Sequence, residues 1–200
     1  MMISKLSVKG FTFIETLVVI ALFGLTLPLV LTILFTIMRQ QIRIFSLSEV
    51  KRQGDNIVNF LDSAVRENAY RIYDSSGAEV CHEDNSEPFP HQGTPASFRD
   101  RYNSSFSLDY TYPDLLFSYP DPNFPAPTHS FPQGPLNSTK MIVESFFISC
   151  IRSSQYSAPL VTVNFTICFN HDGSCTSSNP EEIVSLDYQT NIKLRSFPTP

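Results

Sequence analysis

A single ionisable side chain interrupts the longest apolar segment of the sequence. Glu15 is the only ionisable residue between Phe11 and Met38. An unpaired carboxylate is costly in an apolar environment, even after the surroundings relax. We therefore expect Glu15 to meet a cationic partner. The alternative is a carboxylate that lies in the lipid headgroup layer near the start of a helix.

Four cysteines form the second set of reactive side chains: Cys81, Cys150, Cys168 and Cys175. An even number, all downstream of the apolar segment, favours two disulfides and an oxidising, extracytoplasmic compartment. Four cysteines permit three connectivities. Because Cys168 ends a predicted strand and Cys175 follows the turn "NHDGS", a local bridge between them is favoured. Cys81 would then pair with Cys150, although the other two connectivities stay open.

The remaining polar residues do not form a recognisable catalytic pattern. One cluster has side chains that can bind metals: Cys168, His171, Asp172 and Cys175. In an exported domain, disulfide pairing is the stronger expectation for its cysteines. Asp172, Glu181 and Glu182 fit no calcium loop, and the glycines are never closer than fourteen residues apart, which excludes a glycine-rich phosphate loop. We predict a non-enzymatic protein without a metal or cofactor.

The apolar segment from residue 11 to residue 38 is long enough to cross a membrane. Its 28 residues would form a helix of roughly 42 Å. A cleavable secretory signal would have a shorter apolar region followed by small residues at a cleavage site, and none follows here. We therefore predict a retained, single membrane-spanning helix over 11–38. The downstream chain has no second apolar run of this length.

Charges around this segment give conflicting signals about topology. Two lysines precede it, whereas four basic residues follow it closely: Arg39, Arg43, Lys51 and Arg52. By the positive-inside rule alone, the C-terminal side would be cytoplasmic. The cysteines indicate the opposite orientation, with an extracytoplasmic head, and we follow the cysteines.

A helical pattern continues beyond the apolar segment. Apolar or small residues recur at spacings of three and four: Leu47, Val50, Gly54, Ile57, Leu61 and Ala64. This periodicity predicts one helix from Thr12 to Tyr70, whose part over 39–70 packs on a globular head. A coiled-coil partner is the competing interpretation of the same face. Gly24 and Pro28 predict either a functional kink or a tolerated irregularity.

Two further regions follow this helix. Residues 71–140 contain ten of the fifteen prolines, which predicts a mainly irregular loop with short strands at Phe106–Thr111 and Leu115–Tyr119. Its phenylalanines either anchor the loop to the head or line a ligand surface: Phe89, Phe98, Phe106, Phe117, Phe124 and Phe131. Residues 141–200 alternate like strands and predict an antiparallel sheet. The expected strands are Met141–Ile151, Leu160–Phe169 and Ile183–Leu194.

The order of features at the N-terminus resembles a known export signal. A short basic leader ends at Gly10, Phe11 follows, and Glu15 comes four residues later, ahead of the apolar run. The stretch "KGFTFIETLVVIALFG" is similar to the class III signal of type IV prepilins and type II secretion pseudopilins. The resemblance covers about the first thirty residues only. Phe13, Thr16 and the early Pro28 depart from the usual pattern.

The resemblance implies removal of a leader over 1–10 and methylation of the new N-terminus, Phe11, by a prepilin peptidase. It also implies that Glu15 pairs with the N-terminal amine of a neighbouring subunit during filament assembly. The partners would be other pilin or pseudopilin subunits, the peptidase, and membrane lipid before assembly. The implied location is the cell membrane, then an extracellular or periplasmic filament.

The fold class predicted from these features is α+β and pilin-like: a long helix packed on a C-terminal antiparallel sheet. We expect a minor pilin or pseudopilin, with the J-type pseudopilin as the nearest likeness. The chain carries a formal charge of −5, so we expect no nucleic-acid partner. A membrane-anchored extracellular protein that captures a ligand with the Phe/Pro loop is the rival hypothesis.

Overall fold

A computed structural model gives the architecture of the chain. It describes residues 12–74, 76–81, 96–100, 104–119, 131–154, 157–170, 172–176 and 183–195. The chain divides into two compact units, Met1–Ile42 and Arg43–Pro200. The first contains the apolar part of the helix, and the second contains the remainder of the helix together with the strands.

One helix and eight strands make up the regular structure of the described residues. The helix α1 covers Phe13–Asn68. The strands are β1 (Arg71–Tyr73), β2 (Ala96–Arg99), β3 (Ser105–Thr111), β4 (Asp114–Ser118), β5 (Gly134–Pro135), β6 (Met141–Ile151), β7 (Leu160–Phe169) and β8 (Ser185–Lys193). This α+β architecture confirms the predicted fold class. The predicted helix, Thr12 to Tyr70, differs from α1 by one residue at its start and two at its end.

The second half of α1 packs on the sheets through the face that its periodicity predicted. Val50, Gly54, Ile57, Leu61 and Ala64 are buried. Leu47 is the exception, because it remains 44% exposed. The helix therefore buries one face in the core of the head, as an amphipathic helix of a globular domain does.

Five strands between residues 71 and 135 form an antiparallel sheet in the order β1-β2-β3-β4-β5. The expectation of a mainly irregular segment over 71–140 is therefore wrong for its described residues. The apolar residues of β3 alternate at period two, and Phe106, Leu108 and Tyr110 are all buried. Pro113 lies in the turn between β3 and β4, and Pro135 lies on the two-residue edge strand β5, where a missing N–H is tolerated.

The second sheet is the antiparallel meander predicted for the C-terminal region, with strand order β6-β7-β8. The predicted bounds of β6 and β7 are confirmed, and β8 lies within the predicted Ile183–Leu194. The register between β6 and β7 shifts between Val143 and Ser145, which marks a bulge at Glu144.

Polar contacts join the two sheets. The Tyr110 hydroxyl donates to the carbonyl oxygens of Val143 at 3.1 Å and Glu144 at 2.6 Å. The buried Asn137 side chain accepts from the Leu115 N–H at 3.0 Å and donates to the Met141 carbonyl at 2.9 Å. These bonds provide partners for backbone groups of β4 and β6.

A glycine sets the distance between α1 and β8. The Tyr188 ring lies so close to Gly54 that a Cβ there would stand 2.2 Å from its Cε2 atom. The ring stacks on Phe165 with centroids 5.1 Å apart, and its hydroxyl donates to the Lys51 carbonyl at 3.1 Å. Only glycine permits this approach of helix and strand.

Candidate functional site

The carboxylate of Glu15 caps the first turn of α1. It accepts from the Thr12 backbone N–H at 3.0 Å and from the Thr12 hydroxyl at 3.1 Å, both through Oε2. Thr12 is the residue before the helix and Glu15 is its third residue, which is the spacing of a capping box. The negative side chain also lies at the positive end of the helix dipole. Glu15 therefore has a structural role within its own chain, in addition to any role between subunits.

The apolar half of α1 contains several threonines whose hydroxyl groups bond within the helix. Thr26 donates to the Leu22 carbonyl at 3.0 Å, Thr32 to Pro28 at 2.8 Å, and Thr36 to Thr32 at 2.9 Å. Threonine often bonds to the carbonyl four residues earlier in this way. These hydroxyl groups consequently need no partner from outside, and the segment can lie in an apolar environment.

Gly24 and Pro28 stand one helical turn apart inside α1, which continues through both. Proline lacks an N–H, so residue 28 cannot donate to the carbonyl of residue 24. A Cβ at Gly24 would meet no atom within 4 Å. The pair thus weakens the helix at one defined place, and the predicted kink stays a prediction.

The large apolar side chains of residues 13–45 are exposed on α1. The helix is long and apolar enough to cross a membrane, and none of its most apolar window is buried. An isolated apolar surface of this extent requires lipid or protein around it. Gly10 and Phe11, the predicted cleavage and methylation residues, lie outside the described residues.

Both disulfides have the pairing that the chain order favoured. Cys81 bonds to Cys150 across 69 residues, and Cys168 bonds to Cys175 across seven. The first links the segment after β1 to the end of β6, and the second closes the loop after β7. Among the described residues there is no group of three side chains placed to bind a metal ion.

The phenylalanines of the Phe/Pro segment contribute to the core. Phe98, Phe106 and Phe117 are at most 4% exposed. Phe117 contacts Phe60 of α1 edge to face at 4.9 Å, and Phe131 contacts the same ring at 5.4 Å. Such contacts stabilise the head beyond their burial alone. Phe89 and Phe124 lie outside the described residues.

An open groove of about 490 Å³ lies beside the first turn of α1 within the head. It is lined by Phe45, Glu49, Thr139, Lys140, Phe169, Asn170, Asp172 and Gly173. A hydrogen bond from the Arg52 side chain lowers the pKa of Glu49, which therefore stays charged. The groove combines one exposed aromatic ring, Phe45, with charges of both signs.

Scans of the chain against protein-family models, curated proteins and solved structures each returned no match.

Some structural residues have little or no signal in the sequence. The capping box does have one, since "TFIE" has a threonine three residues before a glutamate, at the start of an apolar run. The role of Gly54 was hidden, because periodicity alone counts it as one more small residue on the buried face. Asn137 appears in a loop-like stretch, and nothing in its neighbours indicates that it is buried.

Proposed function

We propose that this protein is a minor pilin or pseudopilin, a non-enzymatic subunit of a type IV pilus or a type II secretion pseudopilus. It would be assembled from the cytoplasmic membrane after a prepilin peptidase removes residues 1–10. The observation that carries this proposal is the helix α1, whose exposed apolar half begins with a capped carboxylate and whose second half packs on an antiparallel head. One helix thus contains both a lipid-compatible surface and a segment that is part of a folded domain.

The position of Glu15 supports assembly in addition to anchoring. Both hydrogen bonds from Thr12 go to Oε2, and among the described residues no hydrogen bond to Oε1 occurs, so this oxygen can accept from a further donor. After cleavage, the amine of Phe11 would carry a positive charge. An ammonium–carboxylate pair is stronger where water is excluded. In a filament core, the N-terminal amine of a neighbouring subunit would supply that positive charge. The pair would stabilise the filament only when the two subunits are in register.

The disulfides support an extracytoplasmic head. Both are formed between residues of the second unit, and disulfides persist mainly in oxidising compartments. The head would then lie outside the cytoplasm, first on the membrane and later on an extracellular or periplasmic filament. Other pilin or pseudopilin subunits would surround the exposed part of α1.

The rival hypothesis, a tethered receptor with an aromatic ligand surface, is weakened by the same rings that suggested it. Phe98, Phe106 and Phe117 are buried in the core. A binding surface needs accessible rings, and these three are already used in packing. The groove beside Phe45 offers a ligand site of another kind, but only one of its aromatic rings is strongly exposed.

Co-expression with a prepilin peptidase and a compatible major subunit tests the proposal. Mass spectrometry should find a mature N-terminus at Phe11 carrying a methyl group, and mechanical shearing should release the protein with filaments. A Gly10→Val variant serves as the control, because the bulkier residue should block cleavage and exclude the protein from filaments. An intact Met1 terminus in the presence of active peptidase, or retention of all mature protein in the membrane, would contradict the proposal.

A further inference from the structure

The strand β8 ends the second sheet and offers a hydrogen-bonding edge. In the part of the chain that the structure describes, β7 is its only strand neighbour. Phe169 donates to the Val184 carbonyl and Leu194 donates to the Pro159 carbonyl, each at 3.0 Å. Both bonds involve an even-numbered residue next to β8 and its register partner at the end of β7 or next to it. Because the register between β7 and β8 has no shift, all even-numbered residues of β8 direct their backbone groups toward β7. The odd-numbered residues therefore direct their N–H and C=O groups toward the open edge.

The odd-numbered side chains of β8 are exposed, and they include one acidic residue near the start of the strand and one basic residue at its end. They are Ser185, Asp187, Gln189, Asn191 and Lys193. Asp187 and Lys193 are equally distant from Thr190, three residues on either side. An antiparallel pairing of two β8 strands about Thr190 would place Asp187 of each copy opposite Lys193 of the other. Gln189 would face Asn191 in the same way.

We propose that β8 is a self-association surface at which two copies of this chain join their sheets edge to edge in this register. The four residues Asp187, Gln189, Asn191 and Lys193 would exchange about eight backbone hydrogen bonds with the second copy. The side chains of Asp187 and Lys193 would form one opposite-charge pair at each end of this ladder. The resulting sheet would have six strands related by a two-fold axis.

The inner face of β8 favours the same partner. Leu186, Tyr188 and Thr190 are only half-buried there, whereas Ile192 is fully buried. The register about Thr190 places Tyr188 opposite Ile192 of the second copy, and Leu186 opposite its Leu194. A second copy would thus cover apolar surface that α1 leaves accessible. The opposite edge of the sheet is different, because Tyr110 and Pro113 already bond to β6 at its bulge.

Reversal of the charges of Asp187 and Lys193 tests this register. The two residues lie too far apart in one strand to pair with each other, so any charge pair between them must join two copies. Full-length protein in lipid nanodiscs or detergent micelles would be analysed by sedimentation velocity. Asp187→Lys and Lys193→Asp should each weaken the dimer by at least about tenfold, since both charge pairs become repulsive. The double reversal, Asp187→Lys with Lys193→Asp, should restore wild-type association. Glu67→Lys makes the same charge change on an exposed helical position and should leave the dimer unchanged.

A proline variant tests the backbone bonds independently. Gln189→Pro removes an N–H that points to the open edge and spares the ladder with β7, so the head should fold and remain monomeric. Far-UV circular dichroism verifies folding of each variant. If Asp187→Lys does not fold because Thr166 loses its acceptor at 2.7 Å, Lys193→Asp and Gln189→Pro decide the question. The proposal would be overturned by a wild-type protein that is monomeric at about 100 μM, or by a dimer that neither variant weakens. It would also be overturned if the double reversal folds but does not restore the dimer.

Discussion

Replacement of Gly54 by alanine tests the contact between helix and sheet that fixes the head on α1. The new Cβ would stand 2.2 Å from Cε2 and 2.3 Å from Cζ of Tyr188, so the ring must move. This movement breaks the hydrogen bond to the Lys51 carbonyl, which contributes about 1 kcal/mol to stability. It also disrupts the stacking on Phe165, which contributes about 0.5–1.5 kcal/mol. The better helix propensity of alanine returns about 1 kcal/mol. We expect Gly54→Ala to lower the free energy of unfolding by about 1 kcal/mol, and more if the ring cannot move freely.

The sign of this effect should depend on Tyr188. In a Tyr188→Ala background the obstacle is gone, so Gly54→Ala should instead raise the free energy of unfolding by about 1 kcal/mol. Gly24→Ala is the matched control, since its Cβ meets no atom within 4 Å and the head should unfold as in wild type. Denaturant titrations followed by near-ultraviolet circular dichroism measure these differences in a chain that has no tryptophan. Equal or greater stability of Gly54→Ala in the wild-type background would refute the close-approach argument.

Three further predictions concern the head. Asn137→Ala leaves the Leu115 N–H and the Met141 carbonyl without their partner and should cost about 2–4 kcal/mol in denaturant titrations; an unchanged midpoint would contradict this. Replacing Cys81 and Cys150 by alanine should cost roughly 4 kcal/mol, against roughly 2 kcal/mol for Cys168 and Cys175, because the first bridge closes 69 residues and the second seven. An equal loss in calorimetry would argue against the loop-entropy account. Burial raises the pKa of Tyr110, Tyr119 and Tyr188, so the stability that these three residues contribute should be constant below about pH 10 and fall as the pH rises further, since the unfolded chain releases these protons first. Stability that rises in alkaline solution would contradict it.

The sequence predicts the parts of this fold that depend on periodicity. The strands β6 and β7 alternate over ten or more residues, and their predicted bounds are those of the structure. The short strands β1 and β2 were missed because three or four residues show too little alternation to be distinguished from a loop. The prolines of the same region also made it look irregular, although Pro113 and Pro135 occupy a turn and an edge where proline is compatible with a sheet.

The candidate site was only partly predictable for a different reason. Glu15 is conspicuous because its charge contrasts with everything around it, whereas its cap on Thr12 required the helix start to be placed. The closeness of Gly54 and Tyr188 joins residues 134 positions apart, and no local pattern encodes such a contact. The disulfide pairing was favoured by chain order but required the sheet to bring Cys81 to Cys150.

The Glu15→Gln substitution tests whether the charge of Glu15 serves assembly. Glutamine also completes a capping box, so the helix start, insertion and leader cleavage should remain as in wild type. Glu15→Ala is the comparison that removes both cap and charge. The measurement is the ratio of protein in sheared filaments to protein in the membrane fraction, in cells that also make the wild-type major subunit. We expect this ratio to fall by roughly tenfold for Glu15→Gln, because a hydrogen bond to a charged group is stronger than one to a neutral group by about the free energy of a tenfold change. An unchanged ratio at normal membrane abundance would show that the charge of Glu15 does not serve assembly.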